Sequence, residues 1–142
     1  LALNNIALPV QEKQGKLEVN LEAEKDMIMA DEVHFTNLIN SILDNAVKYS
    51  KEDGLLISLH TGNIGNFLKI KIEDNGIGRE KAAALRAQKT GNHKRSMGMQ
   101  ITKDRIEMIN KLYSTNTTMN IVDLHDEEGN ATGTRVELVI PV

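Results

Sequence analysis

Cysteine is absent from this chain, so it has no disulfide frame, no thiolate metal ligand and no thiolate nucleophile. No apolar run approaches the roughly 18 residues of a membrane-spanning helix, and nothing resembles a signal peptide. A basic excess is also missing. The net charge of −3 and the isoelectric point near 5.8 argue against nucleic acid as a partner, which wants a basic face. There is no internal repeat and no low-complexity segment, and no His/Asp spacing suggests zinc. Proline occurs only as Pro9 and Pro141. What is present is 142 residues, 40% apolar and 26% charged, enough for one soluble globular domain with a proper core. The first residue is Leu1 rather than methionine, so the chain reads as a segment of something longer, and the missing membrane span describes this piece alone.

One stretch organises the rest. Leu68 to Glu73 alternate with a period of two, which predicts a strand with one buried face. That strand delivers Asp74-Asn75-Gly76-Ile77-Gly78 to its C-terminal end. Glycine permits positive φ and close approach to the backbone. A carboxylate there can accept from an amino group such as the exocyclic amine of adenine. The plain alternative is a strand ending in a glycine turn.

Residues 1–16 read as a connector, with Gln11 to Gln14 solvated or in a short helix. Leu17, Val19 and Leu21 alternate with polar residues as a short strand, and Met27-Ile28-Met29 is its expected partner. Asp31 to Ser50 carries the clearest helical pattern. Asp31 is the expected N-cap with Glu32 in the first turn, and Phe35, Leu38, Ile39, Ile42, Leu43 and Ala46 form the core face. Asn37, Ser41, Asn45 and Lys48 make a second, polar stripe. Asparagine and serine cost helix propensity, so the stripe points to a ligand as well as to solvent.

Leu55 to His60 and Phe67 to Glu73 are predicted strands joined by a loop holding Gly62, Asn63, Gly65 and Asn66. Helix formers fill Glu80 to Gln88, and a polar, basic loop follows from Lys89 to Arg95. Met99, Ile101, Ile106, Met108, Ile109 and Leu112 supply the apolar contacts of a further helix. Thr118 to Leu124 is a strand, Asp126 to Asn130 an acidic turn, and Thr134 to Ile140 a closing strand ended by Pro141. The expected fold is α+β, a two-layer sandwich with helices on one face of a mixed, largely antiparallel sheet.

Three pieces now stand in order: Asp44-Asn45-Ala46-Val47-Lys48-Tyr49-Ser50 at a helix end, Asp74-Asn75-Gly76-Ile77-Gly78, and Gly98 before another helix. In this the chain resembles, from about Leu17 to Val142, the catalytic ATP-binding domain of bacterial sensor histidine kinases. These share the Bergerat-type fold with gyrase B, Hsp90 and MutL. The resemblance implies a role for each matching residue. Asn45 holds Mg²⁺ against the nucleotide phosphates, Lys48 contacts phosphate and Tyr49 flanks the nucleotide. Asp74 binds the adenine amine, with Gly76, Ile77 and Gly78 in the same motif. Gly98 and the Met99 amide meet phosphate at a helix start, Thr134 supports the adenine through water, and Lys94 and Arg95 reach the phosphates from a lid at about residues 79–97.

The resemblance further implies that residues 1–16 connect to a missing dimerisation domain and that residues 17–142 are the catalytic domain. ATP and Mg²⁺ are the implied cofactors. The implied partners are the histidine-containing dimerisation domain of the parent kinase and a response regulator receiver domain. The segment is expected to be monomeric and cytoplasmic, and its parent dimeric and membrane-anchored. None of the four histidines, His34, His60, His93 and His125, fits the phosphoacceptor pattern, which places the acceptor outside the segment.

Some residues depart from the pattern. Ser96 stands where the second glycine box begins with glycine, and the lid phenylalanine is missing, since the only phenylalanines are Phe35 and Phe67. The short lid and the run from His93 to Gly98 look more like the sensor kinases related to the LytS group, whereas the Asp44 to Ser50 ending looks more like the commoner sensor kinases. Ser41 occupies the position of the water-activating glutamate of the superfamily ATPases, which favours transfer to a protein acceptor over hydrolysis. A clamp-closing ATPase and a non-catalytic nucleotide sensor remain as alternatives.

Overall fold

The computed structural model describes residues 2–50, 54–78 and 97–142, and the side-chain surroundings of these except 2–6 and 97–101. The described elements run α1 (Ala2–Glu12), β1 (Lys16–Leu21), α2 (Glu32–Lys48), β2 (Leu56–Ile64), β3 (Phe67–Asp74), α3 (Met97–Tyr113), β4 (Thr118–His125) and β5 (Ala131–Pro141). The strands form one sheet in the order β1-β2-β3-β5-β4, parallel between β1 and β2 and antiparallel elsewhere. This is the expected mixed, largely antiparallel sheet.

Alternation decides the two faces of the sheet. Ile57 and Leu59 on β2, Leu68, Ile70 and Ile72 on β3, and Val136, Leu138 and Ile140 on β5 are all buried against the helices. The opposite face carries Lys69, Lys71, Glu73, Arg135 and Glu137. There, cross-strand ion pairs join Lys69 to Glu137 at 3.4 Å and Arg135 to Glu73 at 3.1 Å. The helix side of the core is built by α2, whose Leu38, Ile39, Ile42, Leu43 and Ala46 are buried, joined by Val10 from α1 and by Ile106 and Ile109 from α3. The start of α2 is as expected: Asp31 caps it, accepting the His34 amide at 3.0 Å.

Several expectations fail for identifiable reasons. Met27-Ile28-Met29 is not a strand, and β1 instead pairs in parallel with β2, Leu17 beside Ile57. After β1 the Glu22 amide still donates to the Thr61 carbonyl at 3.1 Å, and the segment then turns to side chains. Asn63 Oδ1 accepts the Glu24 and Lys25 amides at 2.8 and 2.9 Å, and Asn63 Nδ2 donates to the Lys25 carbonyl at 2.8 Å. Met27 and Met29 therefore stay exposed. The loop predicted around Gly62 to Asn66 shrinks to the two-residue turn Gly65-Asn66, because Gly62 and Asn63 belong to β2. Gly65 has φ +57°, the positive value this hairpin turn needs at its first central position.

Strand β5 starts earlier than expected and includes Pro141, opposite Phe67. Met108 and Leu112 face solvent rather than the core. Residues 2–12, within the expected connector, form a helix, and Gln11 and Glu12, its last two residues, are exposed. The helix expected over Glu80 to Gln88 and the basic loop after it lie outside the described residues.

Candidate functional site

Asp74 is the last residue of β3, opposite Ile57 on β2 and Thr134 on β5. It shares the parity of Ile70 and Ile72, so its side chain lies on the helix side of the sheet. One carboxylate oxygen accepts the Gly76 amide at 2.9 Å. Burial pushes its pKa above the ordinary carboxylate value, and hydrogen bonds from the Gly76 and Thr134 amides oppose that rise.

Asn75 fixes the loop that follows. Its amide donates to the Leu56 carbonyl at 3.2 Å, its Oδ1 accepts the Leu56 amide at 2.8 Å, and its Nδ2 donates to the Gly54 carbonyl at 2.6 Å. Gly76 is buried against the end of α2. A Cβ there would stand 2.5 Å from the Tyr49 carbonyl oxygen and 3.0 Å from Asp74 Oδ1. Next along, the Ile77 amide donates to the Tyr49 carbonyl at 3.0 Å. Gly78 turns with φ +84°. From β5, Gly133 holds φ +150°, and a Cβ on it would land on the Asp74 carbonyl.

The end of α2 forms the other wall. Tyr49 is its C-cap, and the Tyr49 amide donates to the Asn45 carbonyl at 3.1 Å. The Lys48 ammonium lies over the Tyr49 ring, 5.3 Å from its centroid, a cation–π distance. Asn45 is half-buried one turn back, while Lys48 and Asp44 are exposed. Ser41 turns back on its own helix, donating to the Asn37 carbonyl at 2.8 Å.

The structure thus brings Tyr49, Asp74, Gly76, Ile77 and Thr134 into direct backbone or side-chain contact, with Asn45 and Lys48 on the turn of α2 that ends at Tyr49. Gly98 and Met99 open α3, and their surroundings are not described; Lys94 and Arg95 lie outside the described residues. Sequence reasoning missed Asn75 and Gly133 as the residues that fit the loop to its neighbours. Each acts through partners on other segments, Gly54 and Leu56 for Asn75 and the Asp74 carbonyl for Gly133, which no local spacing marks.

Two carboxylate contacts are made by backbone amides, and an ionised carboxylate has about four acceptor sites, so Asp74 retains capacity for a donor from a ligand. Among the described residues no group of three or more His, Cys, Asp or Glu side chains could hold a metal ion. A cation here would rest on an amide oxygen such as that of Asn45, together with oxygens brought by the ligand and water, which is how Mg²⁺ is held beside phosphates.

Comparison with known proteins bears on the family and the fold. The family described as Histidine kinase-, DNA gyrase B-, and HSP90-like ATPase matches residues 30–142. A stretch of 80 residues is 48% identical to the sensor protein RprX of Bacteroides fragilis (strain YCH46), covering 56% of this chain and 15% of that protein. Among solved structures, the mycobacterial sensor histidine kinase MprB superposes with a TM-score of 0.69 at 16% identity, over 99% of this chain and 89% of the other. Full-length ShkA in complex with AMPPNP gives 0.68 at 15% identity, over 99% of this chain and 28% of the other. At such identities the two structures speak for the fold. The chain belongs to the histidine kinase-, DNA gyrase B- and HSP90-like ATPase family, as an ATP-binding domain of the sensor histidine kinase kind.

Proposed function

We propose that this domain binds ATP with Mg²⁺ and transfers the γ-phosphoryl group to a histidine on a separate dimerisation domain of its parent kinase, for relay to a response regulator. The observation that carries the reading is the lock between the two walls. The Ile77 amide on the Tyr49 carbonyl at 3.0 Å sets a partly buried carboxylate, Asp74, beside the turn that bears Asn45 and Lys48. Asp74 accepts from the adenine amine, with Thr134 beside it. Tyr49 flanks the nucleotide, and Lys48 leaves its own ring contact to meet phosphate. The Asn45 amide oxygen holds Mg²⁺, which neutralises charge on the phosphates. Lys94, Arg95, Gly98 and Met99 complete the phosphate contacts on the strength of the resemblance alone.

In the transfer, a nitrogen of the acceptor histidine bonds to the γ-phosphorus as the bond to the β–γ bridging oxygen breaks, and ADP leaves. The protein's share is positioning and charge neutralisation. Ser41, bonded to the Asn37 carbonyl, is no base for water, which supports transfer over hydrolysis. The acceptor, the regulator, a dimeric parent and its membrane anchor all belong to this proposal, since the chain spans only 15% of RprX. No described helix is long and apolar enough to cross a membrane.

Calorimetry with ADP and Mg²⁺ on this chain tests the binding half. Asp74→Ala should weaken ATP far more than GTP, and equal loss of both contradicts the adenine assignment. Phosphotransfer to an added acceptor domain tests the rest. Asn45→Ala should abolish it, and retained transfer removes Asn45 from its role.

A further inference from the structure

A second side chain reaches the end of α2, from an element that takes no part in the site. Lys13, just past the end of α1, donates from Nζ to the Val47 carbonyl at 3.0 Å and to Ser50 Oγ at 2.8 Å. The Ser50 hydroxyl in turn donates to the Val47 carbonyl at 2.7 Å, as does its amide at 3.2 Å. The last carbonyls of a helix lack intrahelical partners and favour a cation. Here the cation comes from 34 positions away.

The backbone around Lys13 is itself held. The Lys13 amide donates to the Pro9 carbonyl at 3.3 Å, the Gly15 amide to Val10 at 2.8 Å, and the Lys16 amide to Leu55 at 2.8 Å. Val10 is buried in the core. The ammonium is therefore delivered from a fixed base. Between the two acceptors of Lys13, Val47 and Ser50, lie Lys48 and Tyr49.

We propose that Lys13 is a positioning residue for the nucleotide site. It holds the last turn of α2, and with it Lys48 and Tyr49, in register for the phosphate-bearing half of the ligand, so that any displacement of α1 is felt there. This rests on the nucleotide-binding reading above. The adenine half shares the Ile77–Tyr49 bond with this turn but has further anchors of its own, through Asn75 to Gly54 and Leu56 and through the Thr134 amide to Asp74. Loss of Lys13 should therefore separate the two halves of the ligand.

The test is calorimetry on the whole chain with ADP and Mg²⁺ and, separately, with adenosine, for wild type, Lys13→Met, Lys13→Arg and Ser50→Ala. Lys13→Met should weaken ADP by about threefold, the size expected of a cation at a helix C-terminus, and weaken adenosine less, so that the ratio of the two affinities falls. Lys13→Arg should restore ADP affinity, and Ser50→Ala should show a smaller loss of the same kind. A merely structural role lowers the unfolding midpoint and leaves the ratio of ADP to adenosine affinity fixed. That result, or wild-type ADP affinity in Lys13→Met, overturns the assignment and leaves the nucleotide reading standing. A wild type that binds no ADP overturns both. Should Lys13→Met fail to fold, Ser50→Ala decides, and an unchanged affinity ratio in it overturns the assignment.

Discussion

Gly76→Ala probes the contact on which the site's geometry depends. Gly76 does not have positive φ, unlike Gly54, Gly65, Gly78, Gly129 and Gly133. Alanine is therefore conformationally allowed, and by restricting the unfolded chain it would stabilise by about 0.4–1 kcal/mol if space were free. Space is not free. The added Cβ would stand 2.5 Å from the Tyr49 carbonyl oxygen and 3.3 Å from its carbon, against an ordinary C···O approach of about 3.3 Å or more. The obstacle is backbone at a helix end, which cannot swing aside as a flexible side chain does. A retreat of about 0.8 Å restores van der Waals distance. It also stretches the neighbouring Ile77–Tyr49 bond from 3.0 Å toward the limit of hydrogen bonding. Overpacking of this kind costs about 1–3 kcal/mol, and the weakened hydrogen bond about 0.5–1.5 kcal/mol. Together they outweigh the entropic gain, so the variant should lose about 1–3 kcal/mol in urea unfolding. The same retreat carries Asp74 away from α2, and ADP affinity should fall about tenfold or more. A variant as stable as wild type with undiminished ADP affinity would refute the steric reasoning.

Three further perturbations have definite signs. Gly62→Ala should stabilise by about 0.5–1 kcal/mol, because Gly62 lies in β2 without positive φ and the nearest atom to its added Cβ is His60 Cε1 at 3.6 Å; a lower midpoint in urea would contradict this. Asn63→Ala removes the anchor of the segment after β1 and should cost about 1–3 kcal/mol with ADP affinity unchanged, since it lies at the far end of β2 from Asp74; a change in affinity would show that the two ends are coupled. For Asp74 the folded pKa is raised by burial, so the folded state holds a proton that the unfolded chain releases. Stability of the unliganded protein should therefore fall as pH rises from the ordinary aspartate value of about 3.9 through the raised one, and Asp74→Asn should flatten that part of the profile. Urea unfolding at several pH values checks it, and a wild-type-minus-variant difference that does not change with pH would be the wrong result.

The parts of the fold that were legible in the sequence are those set by short-range periodicity. The core face of α2, its Asp31 cap and the alternation of β3 are repeats within one element, so no knowledge of neighbours is needed. The partner of β1 is a different matter. Pairing it with Met27-Ile28-Met29 assumes that adjacent elements pair, and β2, some forty residues on, offers a buried apolar row that those methionines do not. Asn63 and Asn75 were opaque for a related reason. Each uses a side-chain amide in place of a strand ladder, and their partners lie 39 and 38 positions away for Asn63 and 19 and 21 for Asn75. Met108 and Leu112 fit a helical stripe but fall beside the face that α3 buries through Ile106 and Ile109, a distinction of one residue step that spacing alone blurs. At the site, Asp74, Gly76 and Gly78 stood out as a motif, while Gly133 did not, because its need for glycine comes from the carbonyl of Asp74 on the neighbouring strand.

The treatment of Asp74 shows how the proposed site would be specific. A partly buried carboxylate can be relieved by a paired cation, by protonation, or by hydrogen-bond donors. Among the described residues no cation pairs with it, and relief comes from two backbone amides, Gly76 and Thr134. Backbone donors are set by the fold and cannot follow a ligand, whereas a lysine or arginine would hold the carboxylate and compete with an incoming amine. The remaining acceptor positions therefore stay open, and for the ionised carboxylate a ligand that presents an N–H there would remove the residual cost of burial. A 6-amino purine does so, and a 6-oxo purine instead turns an oxygen toward an anion. If Asp74 takes the proposed adenine role, discrimination between them would follow from what the fold withholds from Asp74 as much as from what it supplies, and a cation placed beside that carboxylate would be expected to stabilise the empty domain while eroding any preference for adenine.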